Sequence, residues 1–248
     1  DGGFVLLSAY SGSIVFELPE FAPSSDVLFD PNDVDVYFSN SREGTIGFVD
    51  TNTQRVFETE VAEAGSVLSS PSRSLDARYI YVANESSGEV YSLNAFSRVV
   101  FKTFHIGNSP VRPYTTPEGS FLYMVDRSGR FVSIEQFEFT QIVDAPVIAD
   151  ADLIAVGRFD RLNLFASTEH KEFEIFDNAR LASVRSGSFD HTPVDVAGSA
   201  DGRLAYIAFS DAPQIAVYNL ERQQIEYIEA TVNGVAAMSL GLSNNVCH

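Results

Sequence analysis

Apolar positions in this chain come in short alternating runs, and the runs recur. Tyr79-Ile-Tyr-Val-Ala-Asn84 puts Tyr79, Tyr81 and Ala83 on one face of an extended segment and Ile80 and Val82 on the other. Glu85-Ser-Ser-Gly88 interrupts the run, and Glu89-Val-Tyr-Ser-Leu93 resumes it. The pattern predicts strand, tight turn, strand. Nearer the start, Val27-Leu-Phe29, Val34-Asp-Val-Tyr-Phe38, Ile46-Gly-Phe-Val49 and Arg55-Val-Phe-Glu-Thr-Glu-Val61 read as four strands joined by short turns. That is a four-stranded antiparallel meander.

The unit keeps its phase along the chain. Second strands centre on Tyr37, Tyr81, Tyr123, Phe165 and Tyr206, and third strands enter at Ile46, Val90, Phe131, Phe173 and Ile215, with spacings of 41 to 44 residues. Turn residues precede each second strand at the same phase: Pro31-Asn-Asp, Ser74-Leu-Asp, Pro117-Glu-Gly, Phe159-Asp and Ala200-Asp-Gly. Four strands per unit at this period predict an all-β fold, a β-propeller of four-stranded antiparallel blades.

The two termini supply the remaining strands. Val235-Ala-Ala-Met-Ser-Leu240 reads as a first strand, while Phe4–Ala9 and Ile14–Leu18 read as a second and third. Six blades are therefore favoured over seven, with the ring closed by strands from both ends. The blades run approximately 26–65, 66–110, 111–147, 148–191, 192–234, and 235–248 together with 1–22, as one domain.

Charge narrows the range of partners. The 248 residues carry 34 acidic against 16 basic side chains, a net charge of −18. Such a surface repels nucleic-acid phosphates and anionic lipid heads. No 18-residue apolar run is present, so no transmembrane helix is expected. Cys247 is the only cysteine, which excludes an internal disulfide framework. The first residue is Asp1, which suits a mature exported protein or a trimmed fragment.

Tyr81-Val-Ala-Asn84 resembles the YVTN-type propeller repeat, with Ala for the usual Thr. Ile106-Gly-Asn-Ser-Pro110 is similar to that family's link between blades. Thr116–Tyr123 and Ser199–Tyr206 resemble its turn into the second strand. Residues 141–160 depart from the pattern, lacking the Gly-x-x-Pro link. The resemblance implies an exported, periplasmic or extracellular propeller. Relatives of that type include binding and surface proteins and haem- or quinone-linked enzymes.

Meander topology then sorts the chemistry-bearing residues. Links between blades and turns joining second to third strands share one face of a propeller, around the mouth of its channel. His105, His170 and His191 all fall on that face, with Arg112 after a link and Asp190 beside His191. Asp26, Asp150 and Asp152 sit near other links. His105, Arg112, His170, Asp190 and His191 are the candidate ligand-binding mouth, and His105 with His191 are the candidate ligands of a metal or haem iron. Cys247-His248 matches the end of a c-type haem attachment motif whose first cysteine is replaced by Asn244. Nucleophile elbows, zinc-protease helices and phosphate loops do not occur.

The leading expectation is a non-enzymatic, exported propeller presenting its inter-blade face to a protein partner or a small ligand. A second is a redox enzyme or cofactor-handling subunit with haem, quinone or metal at the channel mouth. A third is a subunit of a larger surface assembly, exposing Val99, Phe101 and Ile225 on outer strands.

Overall fold

The structure, a computed structural model, describes residues 4–8, 10–18, 27–29, 35–116, 118–157, 161–199, 201–230 and 234–235. All its regular elements are strands, as the alternation predicts. A two-stranded antiparallel sheet of β1 (Phe4–Leu7) and β2 (Ile14–Leu18) comes first. Four-stranded sheets follow in simple meander order. The first holds β3 (Leu28–Phe29), β4 (Asp35–Asn40), β5 (Thr45–Asp50) and β6 (Arg55–Glu60). The second holds β7 (Ser72–Arg73), β8 (Tyr79–Asn84), β9 (Glu89–Asn94) and β10 (Val99–His105). The third holds β11 (Tyr114–Thr115), β12 (Phe121–Asp126), β13 (Arg130–Glu135) and β14 (Gln141–Pro146). The fourth holds β15 (Leu153–Val156), β16 (Leu162–Ser167), β17 (Glu172–Asp177) and β18 (Ala182–Ser188). The fifth holds β19 (Pro193–Gly198), β20 (Leu204–Phe209), β21 (Gln214–Asn219) and β22 (Gln224–Glu229).

These sheets are the blades of a β-propeller. Residues 236–240 of the expected strand Val235–Leu240, the ring closure it would make, and Asp26, Cys247 and His248 lie outside the described residues.

Burial follows strand number within the blade. Second and third strands are buried on both faces in most blades, as in β8 and β9, where Ile80, Tyr81, Val82, Ala83, Val90 and Leu93 are sealed from solvent; in β21 only the alternate residues Ala216 and Tyr218 are buried. Fourth strands are exposed on alternate positions or nearly throughout.

The chain divides into two units, Asp1–Thr115 and Thr116–His248. In the first, Tyr37, Ile46 and Phe48 of one blade pack with Leu68, Ile80, Val82 and Leu93 of the next. Gly47 is required there, because a Cβ would stand 2.2 Å from the Phe38 ring. In the second unit, Phe131 meets Tyr123 and Phe165 at 5.0 Å each and Phe176 at 5.7 Å. Each such ring contributes about 1.5–3 kcal/mol by leaving water.

Of the outer-strand residues, Val99 and Phe101 are exposed as expected. Ile225 is instead half-buried, because it packs against the cluster around Phe209 and Tyr218.

The two ends of a blade are built differently. The turn from third to fourth strand repeats one design in five blades. Asp50, Asn94, Glu135, Asp177 and Asn219 each accept backbone N–H bonds from residues two or three positions ahead. Each turn then closes on a left-handed residue: Gln54, Arg98, Phe139, Leu181 or Gln223. At the other end, the link leaving each blade is latched to its second-to-third-strand turn. The N–H groups of Val61, Ile106, Val147, Phe189 and Ala230 donate to the carbonyls of Gly44, Gly88, Gly129, Lys171 and Pro213, at 2.7 to 3.1 Å. Gly44, Gly88 and Gly129 are left-handed, and Lys171 adopts the same conformation at φ 57° without being glycine.

Candidate functional site

The course of each link past the next blade's second-to-third-strand turn, where for example the Glu85 N–H donates to the Val67 carbonyl at 2.8 Å, lets side chains far apart in sequence meet on the inter-blade face. In the first unit it builds an open groove of about 650 Å³. Glu60, Val61, Ala62 and Glu63 form one wall, and Asn84, Ser86, Ser87, Glu89 and Tyr91 form the other. The second wall is internally braced. The buried Tyr91 hydroxyl donates to Glu89 Oε2 at 2.8 Å and accepts from Asn84 Nδ2 at 3.3 Å. Ser87 Oγ donates to the same Glu89 oxygen at 2.9 Å. Burial pushes the Tyr91 phenol up from its ordinary value, and donation to Glu89 adds to the shift.

His105 stands at the end of β10, in register with Glu89, and its ring lies over Gly88. It is exposed and borders the wall that carries Glu89. Arg112 is half-buried and donates from Nη2 to the Pro71 carbonyl at 3.2 Å. That bond ties the link to the first strand of the preceding blade, a bracing role that the sequence did not suggest.

The second unit holds the other two internal histidines. His170 Nε2 lies 3.0 Å from Asp150 Oδ2. This hydrogen bond raises the imidazole pKa above its ordinary value, with Glu169 and Glu172 adding charge attraction. His191 sits edge-on to the Phe209 ring at 5.8 Å, and its Nδ1 lies 3.6 Å from Asp211 Oδ1. Asp211 also takes the Thr192 N–H at 2.8 Å and Lys171 Nζ at 3.5 Å. Donation from Thr192 holds its carboxyl below the usual carboxylate range. Asp152 faces Arg127 at 3.7 Å and accepts the Thr168 N–H at 3.0 Å. Asp190 is exposed and adds its charge to the burial that raises Tyr227.

His170 and His191 are therefore each joined to a carboxylate, and Lys171 and Asp211 lie between them. His105 belongs to the first unit and His191 to the second. The opposite end of the second unit's blades carries a pocket of about 500 Å³ with Arg161, Arg180, Asp177 and Glu221 in its walls.

No family model and no curated protein matches the chain. Among solved structures, hydrazine synthase of Kuenenia stuttgartiensis is similar, with a TM-score of 0.67 at 14% identity over 84% of this chain. The match takes in 66% of that neighbour, just under two thirds of its length. At this identity the likeness shows the propeller fold and nothing narrower. In all, 1711 solved chains match, so the scaffold is too widely shared to carry a function by itself.

The residues that sequence reasoning missed are Asp211, Glu169 and the groove carboxylates. Repeat phase was the available signal for Asp211. It occupies in the fifth blade the turn that Glu169–Lys171 occupies in the fourth. Glu60, Glu63 and Glu89 gave no such signal, because acidic residues are abundant and only the fold selects which ones converge.

Proposed function

We propose that this chain is a binding propeller that offers its inter-blade face to a protein or small ligand, and that the first-unit groove takes a cationic group, an amine or a guanidinium. The groove itself carries this reading. It is open and about 650 Å³ in volume, and it presents Glu60, Glu63 and Glu89 beside the hydroxyls of Ser66, Ser86 and Ser87. Carboxylates accept hydrogen bonds from a cation, and the hydroxyls complete the shell that water would otherwise supply. The net charge of −18 draws cations towards the surface before contact. An exported setting belongs to the same proposal and is supported by the resemblance of Tyr81-Val-Ala-Asn84 to the YVTN repeat.

The test is an NMR titration of the isolated chain with agmatine and with spermidine. The expected result is amide shift changes confined to 60–66 and 84–91, abolished in a Glu60→Gln, Glu63→Gln, Glu89→Gln variant that melts at the same temperature. Shift changes at the opposite end of the blades, or binding that survives in the variant, would overturn the reading.

A further inference from the structure

Asp150, Glu169 and His170 form a separate constellation in the second unit. Each offers one ligand atom, and these atoms lie within 4.8 Å of one another. Two segments bring them together, and both are held by their backbones. Asp150 lies in the link after β14, where its N–H donates to the Arg127 carbonyl at 2.7 Å. Glu169 and His170 lie in the turn between β16 and β17. There the His170 N–H donates to Ser167 Oγ at 3.1 Å and the Lys171 carbonyl receives the latch from Phe189. The segments are joined by the bond from the Thr168 N–H to Asp152.

The neighbouring cationic groups face other carboxylates. Arg127 is directed to Asp152 and Lys171 to Asp211. Asp150 instead faces an imidazole, at 3.0 Å. Two ligand atoms each about 2.1 Å from one tetrahedral ion stand about 3.4 Å apart. A small turn of the exposed His170 side chain opens its 3.0 Å contact with Asp150 to that spacing. Rotation of the exposed Glu169 side chain brings in the third ligand.

We propose that Asp150, Glu169 and His170 form a binding site for a first-row divalent transition metal ion of the zinc type. One imidazole nitrogen with two carboxylate oxygens suits that class. Calcium and magnesium prefer shells made of oxygen alone. Three protein ligands leave a position open, which water or a donor atom of a bound molecule fills. The imidazole binds through an unprotonated ring nitrogen, so zinc binding weakens as pH falls. The proposal is independent of the groove and goes beyond the reading above.

The test is a zinc titration of the isolated chain against a chromogenic chelator, in a Cys247→Ser background that removes the only thiol. One ion per chain is expected. His170→Ala weakens zinc binding at least about tenfold. Asp150→Asn weakens it too, while His105→Ala and His191→Ala leave it unchanged. Copper(II) EPR gives a second reading: coupling to a single imidazole nitrogen is expected, and is lost in His170→Ala. Melting of the metal-free variants checks that each is folded. Zinc binding that is equal in wild type and His170→Ala overturns the proposal. So does calcium displacing zinc at equal concentration, or no zinc bound at millimolar concentration.

Discussion

The two ends of a blade teach different things. At the third-to-fourth-strand end, five blades use one turn design, with a carbonyl-type side-chain acceptor at a fixed position and a left-handed residue closing it. At the inter-blade end the backbone latch also repeats, but the side chains around it do not. One blade pair has a carboxylate groove, another has Asp150 with His170, and a third has Asp211 with His191 and Lys171. Where side chains make the turn, their identity is constrained. Where the backbone makes it, side chains are free to differ.

Substitutions should separate the two ends. The largest effect is expected at Asp177, whose buried side chain accepts the N–H groups of Ala179 and Arg180. Asp177→Ala should cost about 1–3 kcal/mol in urea unfolding, the range for losing hydrogen bonds to a charged group. Asp211→Ala, at the inter-blade end, should cost less than Asp177→Ala in the same assay. Equal costs would erase the distinction between turn-forming and surface carboxylates.

Next in size are pH effects at the inter-blade end. The folded pKa of His170 is raised above 6.5. Its contribution is therefore fully present below the unfolded value and fades as pH rises through the folded one. Asp211 behaves oppositely. Its folded pKa lies below 3.8, so its contribution is present above that value and fades as pH falls through the folded one. Unfolding midpoints measured against pH should lose the first trend in His170→Gln and the second in Asp211→Asn. A trend of the wrong sign, or one untouched by the substitution, would show that these contacts do not form in solution.

The smallest expected effect is on stability from the groove carboxylates. Neutralising Glu60, Glu63 and Glu89 together should leave the melting temperature within error and alter only cation binding.

Much of the scaffold was legible because a propeller repeats one local problem. Tyr81, Tyr123 and Phe165 recur at one phase, and the structure buries all three. Turn residues at Ser74-Leu-Asp76 foretold a turn that the structure fixes with Ser74 Oγ on Asp76 Oδ1 at 2.7 Å. The histidines were assigned to the inter-blade face by topology alone, since antiparallel order fixes which turns share an end. Their partners were not legible. Asp150 and His170 are 20 residues apart, and the fold puts them within hydrogen-bonding distance by carrying a link past the next blade's turn. Contacts of that kind leave little trace in residue type.

Sequence alone thus determined the strands, their grouping into blades and the end of the blade on which the three internal histidines lie. Those properties depend on period, alternation and turn chemistry, which are local. Tertiary structure decided which acidic residues converge: Glu89 with Tyr91 in a groove, Asp150 with His170, Asp211 with His191. With 34 acidic residues in the chain, composition cannot choose among them, whereas distance can. Convergence is set by where links pass the turns of the next blade, and that is settled only when whole blades have packed.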